Sequence, residues 1–121
     1  MTKLDHLTIA VRDWGASRDW YVAHLGLKVE FEIPERRTAA LQDDAGLTLF
    51  VAETGEAPGG CMLYFQVDDV EAKHRALESA GVSFVHAPQR LFWGWGAELR
   101  DPNGYLIGLW DERSMREKGS S

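Results

Sequence analysis

The chain carries one pattern of residues twice. Leu41, Asp43, Gly46, Leu49 and Val51 return 58 positions later as Leu99, Asp101, Gly104, Ile107 and Leu109. Upstream, Leu7, Ile9, Val11 and Asp13 return 56 positions later as Leu63, Phe65, Val67 and Asp69, with an alternating apolar period in both copies. Between these echoes, Gly26, Leu27 and Val29 match Gly81, Val82 and Phe84. A tandem duplication of this length constrains the fold strongly. Each copy has to bury an apolar face, and two copies are too few for an open solenoid, so they are expected to close on each other.

Local signals give both copies the same order of elements. Residues 4–11 alternate as a strand, Asp13 caps a helix over 14–25, and Gly26 ends it. Residues 27–33 alternate again, with Val29, Phe31 and Ile33 on one face, until Pro34 interrupts them. Residues 37–42 and 47–52 form a hairpin through Asp43, Asp44, Ala45 and Gly46, completing a βαβββ unit. A Gly- and Pro-rich connector follows at residues 55–60. The second copy reads as a strand at 62–67, a helix at 70–80 capped by Asp69, and strands at 82–86, 97–100 and 105–110. Asp101, Pro102, Asn103 and Gly104 suit a type I turn before the last strand. The residues after Glu112 are polar and are expected to form a loose tail.

Composition limits the function classes. The 121 residues carry a formal net charge of −6 and lack a basic patch, which disfavours nucleic acid and anionic membranes as partners and suits a cationic ligand. No apolar run is long enough to span a bilayer. The first residues lack the apolar stretch of a signal peptide, and a single cysteine, Cys61, allows no intramolecular disulfide, so a cytoplasmic location is expected.

Two tandem βαβββ units, the Asp-Pro-Asn-Gly turn before the final strand, and the opening Leu4, Asp5, His6 and Leu7 resemble the vicinal oxygen chelate superfamily. This superfamily includes glyoxalase I, extradiol dioxygenases and bleomycin-resistance proteins. The resemblance covers residues 4–112. It implies an α+β fold in which two modules, about 4–54 and 61–112, form an eight-stranded, partly open barrel-like sheet with a central cleft. The chain then reads as a single domain, 1–121, with a polar tail at 113–121. The resemblance also implies a homodimer.

Within such a fold, alternation sorts the strand faces. Leu7, Ile9 and Val11 face the helices, which leaves His6, Thr8 and Ala10 on the cleft side. Likewise Thr48, Phe50 and Ala52, Met62, Tyr64 and Gln66, and Leu106, Gly108 and Trp110 line the cleft. The resemblance implies metal ligands on the first and last strands of each unit, at His6, Phe50, Met62 and Gly108. Only the imidazole among these is a ligand for a divalent ion, so no metal and no other cofactor is expected. His6 then reads as a ligand-contacting group or as a structural histidine. His24 suits the dipole at the end of the first helix, His74 sits mid-helix at an exposed edge, and His86 ends a strand near the cleft.

The second copy departs from the first at residues 91–96, Leu-Phe-Trp-Gly-Trp-Gly, where it is three residues longer. This insertion is expected to form a loop. Trp93 and Trp95 either stack on a ligand or plug a sheet edge or subunit interface. The expected ligand-binding set is therefore His6, Thr8, Phe50, Met62, Tyr64, Gln66, Trp93, Trp95, Gly108 and Trp110, largely apolar walls with sparse polar anchors. The leading expectation is metal-independent sequestration of a planar or cationic small molecule, as in antibiotic-resistance proteins of this superfamily. The alternatives are a lyase, isomerase or dioxygenase with a relocated metal or a His6–Tyr64 acid–base pair, and a non-catalytic interaction module.

Overall fold

The computed structural model describes residues 2–54 and 61–120, so the connector expected at residues 55–60 lies outside the described residues. The chain divides into two compact units, Met1–Cys61 and Met62–Ser121. Unit one runs β1 (His6–Val11), α1 (Trp14–Leu25), β2 (Lys28–Ile33), a 3-10 turn (Pro34–Arg36), β3 (Thr38–Gln42) and β4 (Thr48–Glu53). Unit two runs β5 (Met62–Gln66), α2 (Val70–Ser79), β6 (Phe84–Leu91), β7 (Gly94–Arg100), β8 (Leu106–Trp110) and α3 (Glu112–Lys118). The βαβββ order of both copies is as the sequence predicts. The eight strands are divided into two mixed sheets of four, ordered β1-β4-β3-β2 and β5-β8-β7-β6, and are not closed into a barrel. Among the described residues no helix is long and apolar enough to cross a membrane.

The duplication is reproduced at the level of single hydrogen bonds. Asp13 and Asp69 cap α1 and α2 by accepting the amides of Ala16 and Ala72, both at 3.0 Å, and each cap of this kind is worth about 1 kcal/mol. The first amide of each helix is also held by a carboxylate at the end of the last strand. Trp14 N donates to Glu53 Oε2 at 3.1 Å, and Val70 N donates to Asp111 Oδ2 at 2.6 Å. The two turns before the last strands match as well. Asp43 Oδ1 accepts from Ala45 N and Leu47 N, while Asp101 Oδ1 accepts from Asn103 N and Tyr105 N. Gly46 and Gly104, at φ +91° and +97°, close these turns in the left-handed region that favours glycine.

The core of each unit lies between its sheet and its helices. Ile9, Val11, Leu41, Val51 and Tyr21 are buried in unit one, and Leu99, Ile107, Leu109, Val70 and Leu77 in unit two. Burying one such side chain contributes about 1.5–3 kcal/mol before the cost of ordering it. The parallel register His6↔Thr48, Thr8↔Phe50 and Ala10↔Ala52 keeps these six residues on the face turned away from that core. Met62↔Leu106, Tyr64↔Gly108 and Gln66↔Trp110 do the same in unit two.

Five sequence expectations are corrected. Val29, Phe31 and Ile33 do not share one face. The ladder shifts between Val29, opposite Leu41, and Phe31, opposite Ala40, and this bulge turns Phe31 to the face of Phe50. His86 does not end a strand but lies within β6, which continues to Leu91 as an edge strand where Pro88 costs no ladder bond. The aromatic insertion is accordingly a tight hairpin, with Phe92 and Trp93 joining β6 to β7 rather than forming a loop.

The expected loose tail is instead the helix α3, because Asp111 caps it through Ser114 N at 2.6 Å and Glu112 pairs with Arg116 at 3.2 Å. His74 is tucked in rather than exposed, its ring edge-on to Phe84 at 4.6 Å.

Candidate functional site

Each sheet presents one row of side chains on its open face, and the two rows are equivalent in the repeat. In unit one the row is Phe31, Ala40, Phe50 and Thr8, placed side by side by the ladders Phe31↔Ala40, Ala40↔Phe50 and Thr8↔Phe50. Phe31 packs edge-on to Phe50 with ring centroids 5.7 Å apart, and His6 packs edge-on to Phe50 at 5.0 Å. The His6 side chain is 48% exposed, with Nδ1 3.1 Å from the exposed carboxylate of Asp5. A polar pocket of about 430 Å³ opens at one end of this sheet, lined by residues including Lys3, Asp5, Glu30, Gln42 and Thr48. Within it Thr48 Oγ1 donates to Glu30 Oε1 at 2.8 Å.

In unit two the row is His86, Glu98, Gly108 and Tyr64, through the ladders His86↔Glu98, Glu98↔Gly108 and Tyr64↔Gly108. The ladder shifts between Phe84, opposite Leu99, and His86, opposite Glu98. Residues two apart on a regular strand share a face, so this bulge moves His86 from the side of Phe84 and the core to the open side. There His86 Nε2 lies 2.9 Å from Glu98 Oε1, with both side chains 17% exposed. His86 Nδ1 lies 2.9 Å from the carbonyl oxygen of Ala87. The tautomer with its hydrogen on Nε2 donates to Glu98, and the one with its hydrogen on Nδ1 donates to the Ala87 carbonyl.

Two glycines clear the space beside this pair. A Cβ on Gly108 would stand 2.6 Å from Cδ2 of Tyr64, and a Cβ on Gly96 would stand 2.3 Å from the ring of Trp93. The rings of Tyr64 and Trp93 therefore lie over neighbouring glycine backbones. They meet at 5.4 Å with an interplanar angle of 87°, forming two walls of a corner. Such edge-to-face pairs are worth about 0.5–1.5 kcal/mol beyond the area they bury.

The residues expected to bind a ligand fall into two groups by unit. His6, Thr8 and Phe50 lie together on the open face of unit one. Tyr64, Gly108 and Trp93 lie together on that of unit two, with Met62, Gln66 and Trp110 on the same face of β5 and β8. Trp95 is separate from both groups. It shares its side of β7 with the buried Ala97 and Leu99, and Lys118 of α3 lies over its ring at 4.9 Å.

Phe31 and Glu98 join the rows although the sequence does not mark them as site residues, and His86, expected near the cleft, joins as the partner of Glu98. Alternation around Ala97 and Leu99 puts Glu98 on the open face, whereas the bulges that turn Phe31 and His86 leave no periodic signal.

The donor set does not fit a divalent metal at the four positions the superfamily resemblance implies. Phe50 and Gly108 offer no donor, the Met62 thioether is a weak one, and the space beside Gly108 is filled by the Tyr64 ring. Among the described residues no three His, Cys, Asp or Glu side chains converge.

Comparison with known proteins agrees with this architecture. A structure from Sphaerobacter thermophilus, described as a member of the glyoxalase/bleomycin resistance protein/dioxygenase superfamily, is 24% identical with a TM-score of 0.79, covering 93% of this chain and 98% of that one. An integron cassette protein from the mobile metagenome of the Halifax Harbour sewage outfall is 24% identical with a TM-score of 0.78, covering 90% and 97%. Lactoylglutathione lyase from Agrobacterium tumefaciens is 16% identical with a TM-score of 0.77, covering 93% and 96%. These likenesses establish the fold. The family model for the glyoxalase/bleomycin resistance protein/dioxygenase superfamily matches residues 3–109, and the chain belongs to that superfamily.

Proposed function

We propose that this chain is a small-molecule binding protein that sequesters a planar, cationic ligand by ring stacking and hydrogen bonding, without a metal ion. One observation carries the reading. At the four positions where the superfamily resemblance implies metal ligands, this chain has a single imidazole, His6, and otherwise Phe50, Met62 and Gly108. Phe50 and the ring over Gly108 belong to aromatic clusters on the open sheet faces. Exposed rings with a few polar groups suit a flat apolar ligand, and the net charge of −6 favours a positive one. A homodimer in the cytoplasm, and a resistance role if the ligand is toxic, belong to the same proposal.

The test has two parts. The purified protein is incubated in turn with Zn²⁺, Ni²⁺, Fe²⁺ and Mn²⁺, desalted and analysed for metal. It is then titrated with 9-aminoacridine, a planar cation, while tryptophan fluorescence is followed. Saturable quenching with no retained metal is expected. Near-stoichiometric divalent ion surviving desalting overturns the reading, as does an absence of quenching.

A second reading, a superfamily enzyme using acid–base chemistry without a metal, is favoured by the hydrogen-bonded His86–Glu98 pair. It predicts turnover of a reactive small substrate that persists in chelator and is lost in His86→Ala.

A further inference from the structure

The repeat supplies an internal control for the row in unit two. Position by position, His86, Glu98, Gly108 and Tyr64 answer to Phe31, Ala40, Phe50 and Thr8. The first copy builds the same ladder, the same bulge and the same turn with no charged group in its row. The polar pair is therefore not something the βαβββ architecture requires. Nor is a pair this far out of solvent strong evidence of a stabilising role, since the cost of desolvating both groups offsets much of their attraction. A half-buried carboxylate held against a sheet has a desolvation cost, and that cost has to be offset by what it binds.

The surroundings of Glu98 indicate what that is. Along β7 it is two residues from Gly96, over which Trp93 lies, and across the ladder it faces Gly108, over which Tyr64 lies. Glu98 thus shares the open face with the two rings, next to both of the glycines they cover. Among the described residues its hydrogen bond is through Oε1, to His86, which leaves acceptor capacity on a group able to take several donors. Aromatic walls hold the plane of a ligand and favour positive charge, and a carboxylate on the same face fixes an N–H donor that carries that charge.

We infer that Glu98 is the anchor for a protonated nitrogen on a planar ligand seated against the corner formed by Tyr64 and Trp93, and that His86 is the internal donor which that nitrogen competes with or replaces. This inference rests on the binding reading above and narrows its ligand class to flat heteroaromatic or aryl cations with an N–H.

The test compares two probes of one ring system near neutral to mildly alkaline pH: 9-aminoacridine, which is charged, and acridine, which is neutral. Both are titrated by tryptophan quenching into the full chain, and the ratio of their affinities is read. The wild-type protein is expected to prefer the cation by about tenfold, a preference that added salt erodes. Glu98→Gln is expected to bring the ratio to about one. His86→Phe installs the residue type of the first copy and removes the competing donor, so it is expected to raise the ratio several-fold.

If the wild type binds both probes equally, or if Glu98→Gln keeps the wild-type ratio, the anchor is overturned while stacking stands. If neither probe binds, the binding reading itself falls, and the anchor with it. Circular dichroism establishes that each variant is folded. The wild-type ratio and its salt dependence decide the matter even if a variant is not.

Discussion

The ring of Tyr64 occupies the space that any side chain at position 108 would need, with Cδ2 2.6 Å from the Cβ that alanine would place there. Tyr64 is 43% exposed, so the ring can swing outward, at the expense of its edge-to-face contact with Trp93. Gly108→Ala is therefore expected to destabilise the protein by about 1 kcal/mol, at the low end for overpacking, and to change Trp93 emission. Denaturant titration followed by fluorescence checks both.

A harsher version of the same conflict holds at Gly94. Its φ is +137°, and a Cβ there would stand 2.1 Å from Sδ of Met115 in α3. Gly94→Ala combines backbone strain with a clash and is expected to cost about 2–3 kcal/mol. Met115→Ala in the same chain removes the clash and leaves the strain. The double variant should thus be less destabilised than the sum of the singles by at least about 0.5 kcal/mol, measured in a double-mutant cycle.

Asp111 ties two helices to the end of β8. Oδ1 accepts Ser114 N at 2.6 Å and caps α3, while Oδ2 accepts Val70 N at 2.6 Å, at the start of α2, and the Ser114 hydroxyl at 3.1 Å. Asp111→Ala removes the cap and leaves a buried amide without its acceptor, and is expected to destabilise by about 2–4 kcal/mol. Equilibrium unfolding in urea measures this directly. α3 is expected to lose amide-exchange protection first.

The same residue predicts an acid limb. Burial pushes the Asp111 carboxyl up, but the amides of Val70 and Ser114, then the Ser114 hydroxyl and Arg113, outweigh it and hold the group below its ordinary value of 3.8. A carboxyl depressed in the folded state binds its proton more readily when unfolded. Its contribution is thus fully present above the unfolded value and is lost as pH falls through the lower folded one. Wild type and Asp111→Asn are expected to differ most in stability above about pH 5 and to converge as the pH drops below the ordinary aspartate range. Urea midpoints across a pH series check the convergence.

The sequence was most legible where the signal is local. Asp13 and Asp69 announce helix starts because a cap needs only one side chain and an amide three residues on. Alternation in β1, β4, β5 and β8 sorts Thr8, Phe50, Tyr64 and Gly108 to the open face because one face of each strand is buried. The same rule fails at Val29–Phe31 and Phe84–His86, since a bulge is decided by the partner strand and leaves the strand's own composition unchanged. For that reason Phe31 and the His86–Glu98 pair were not apparent as parts of a site. The helix α3 went unread because it is polar on most sides, although Asp111 and the Glu112–Arg116 spacing mark it.

The out-of-step residue occurs at the same place in both copies, between positions 29 and 31 and again between 84 and 86. One inherited irregularity accounts for this more simply than two separate ones. A half-length ancestor would already have carried the kink, and with it one outward-turned position open to change. After copying, that position could diverge independently in each descendant half, to phenylalanine in one and histidine in the other, without any alteration to the scaffold beneath.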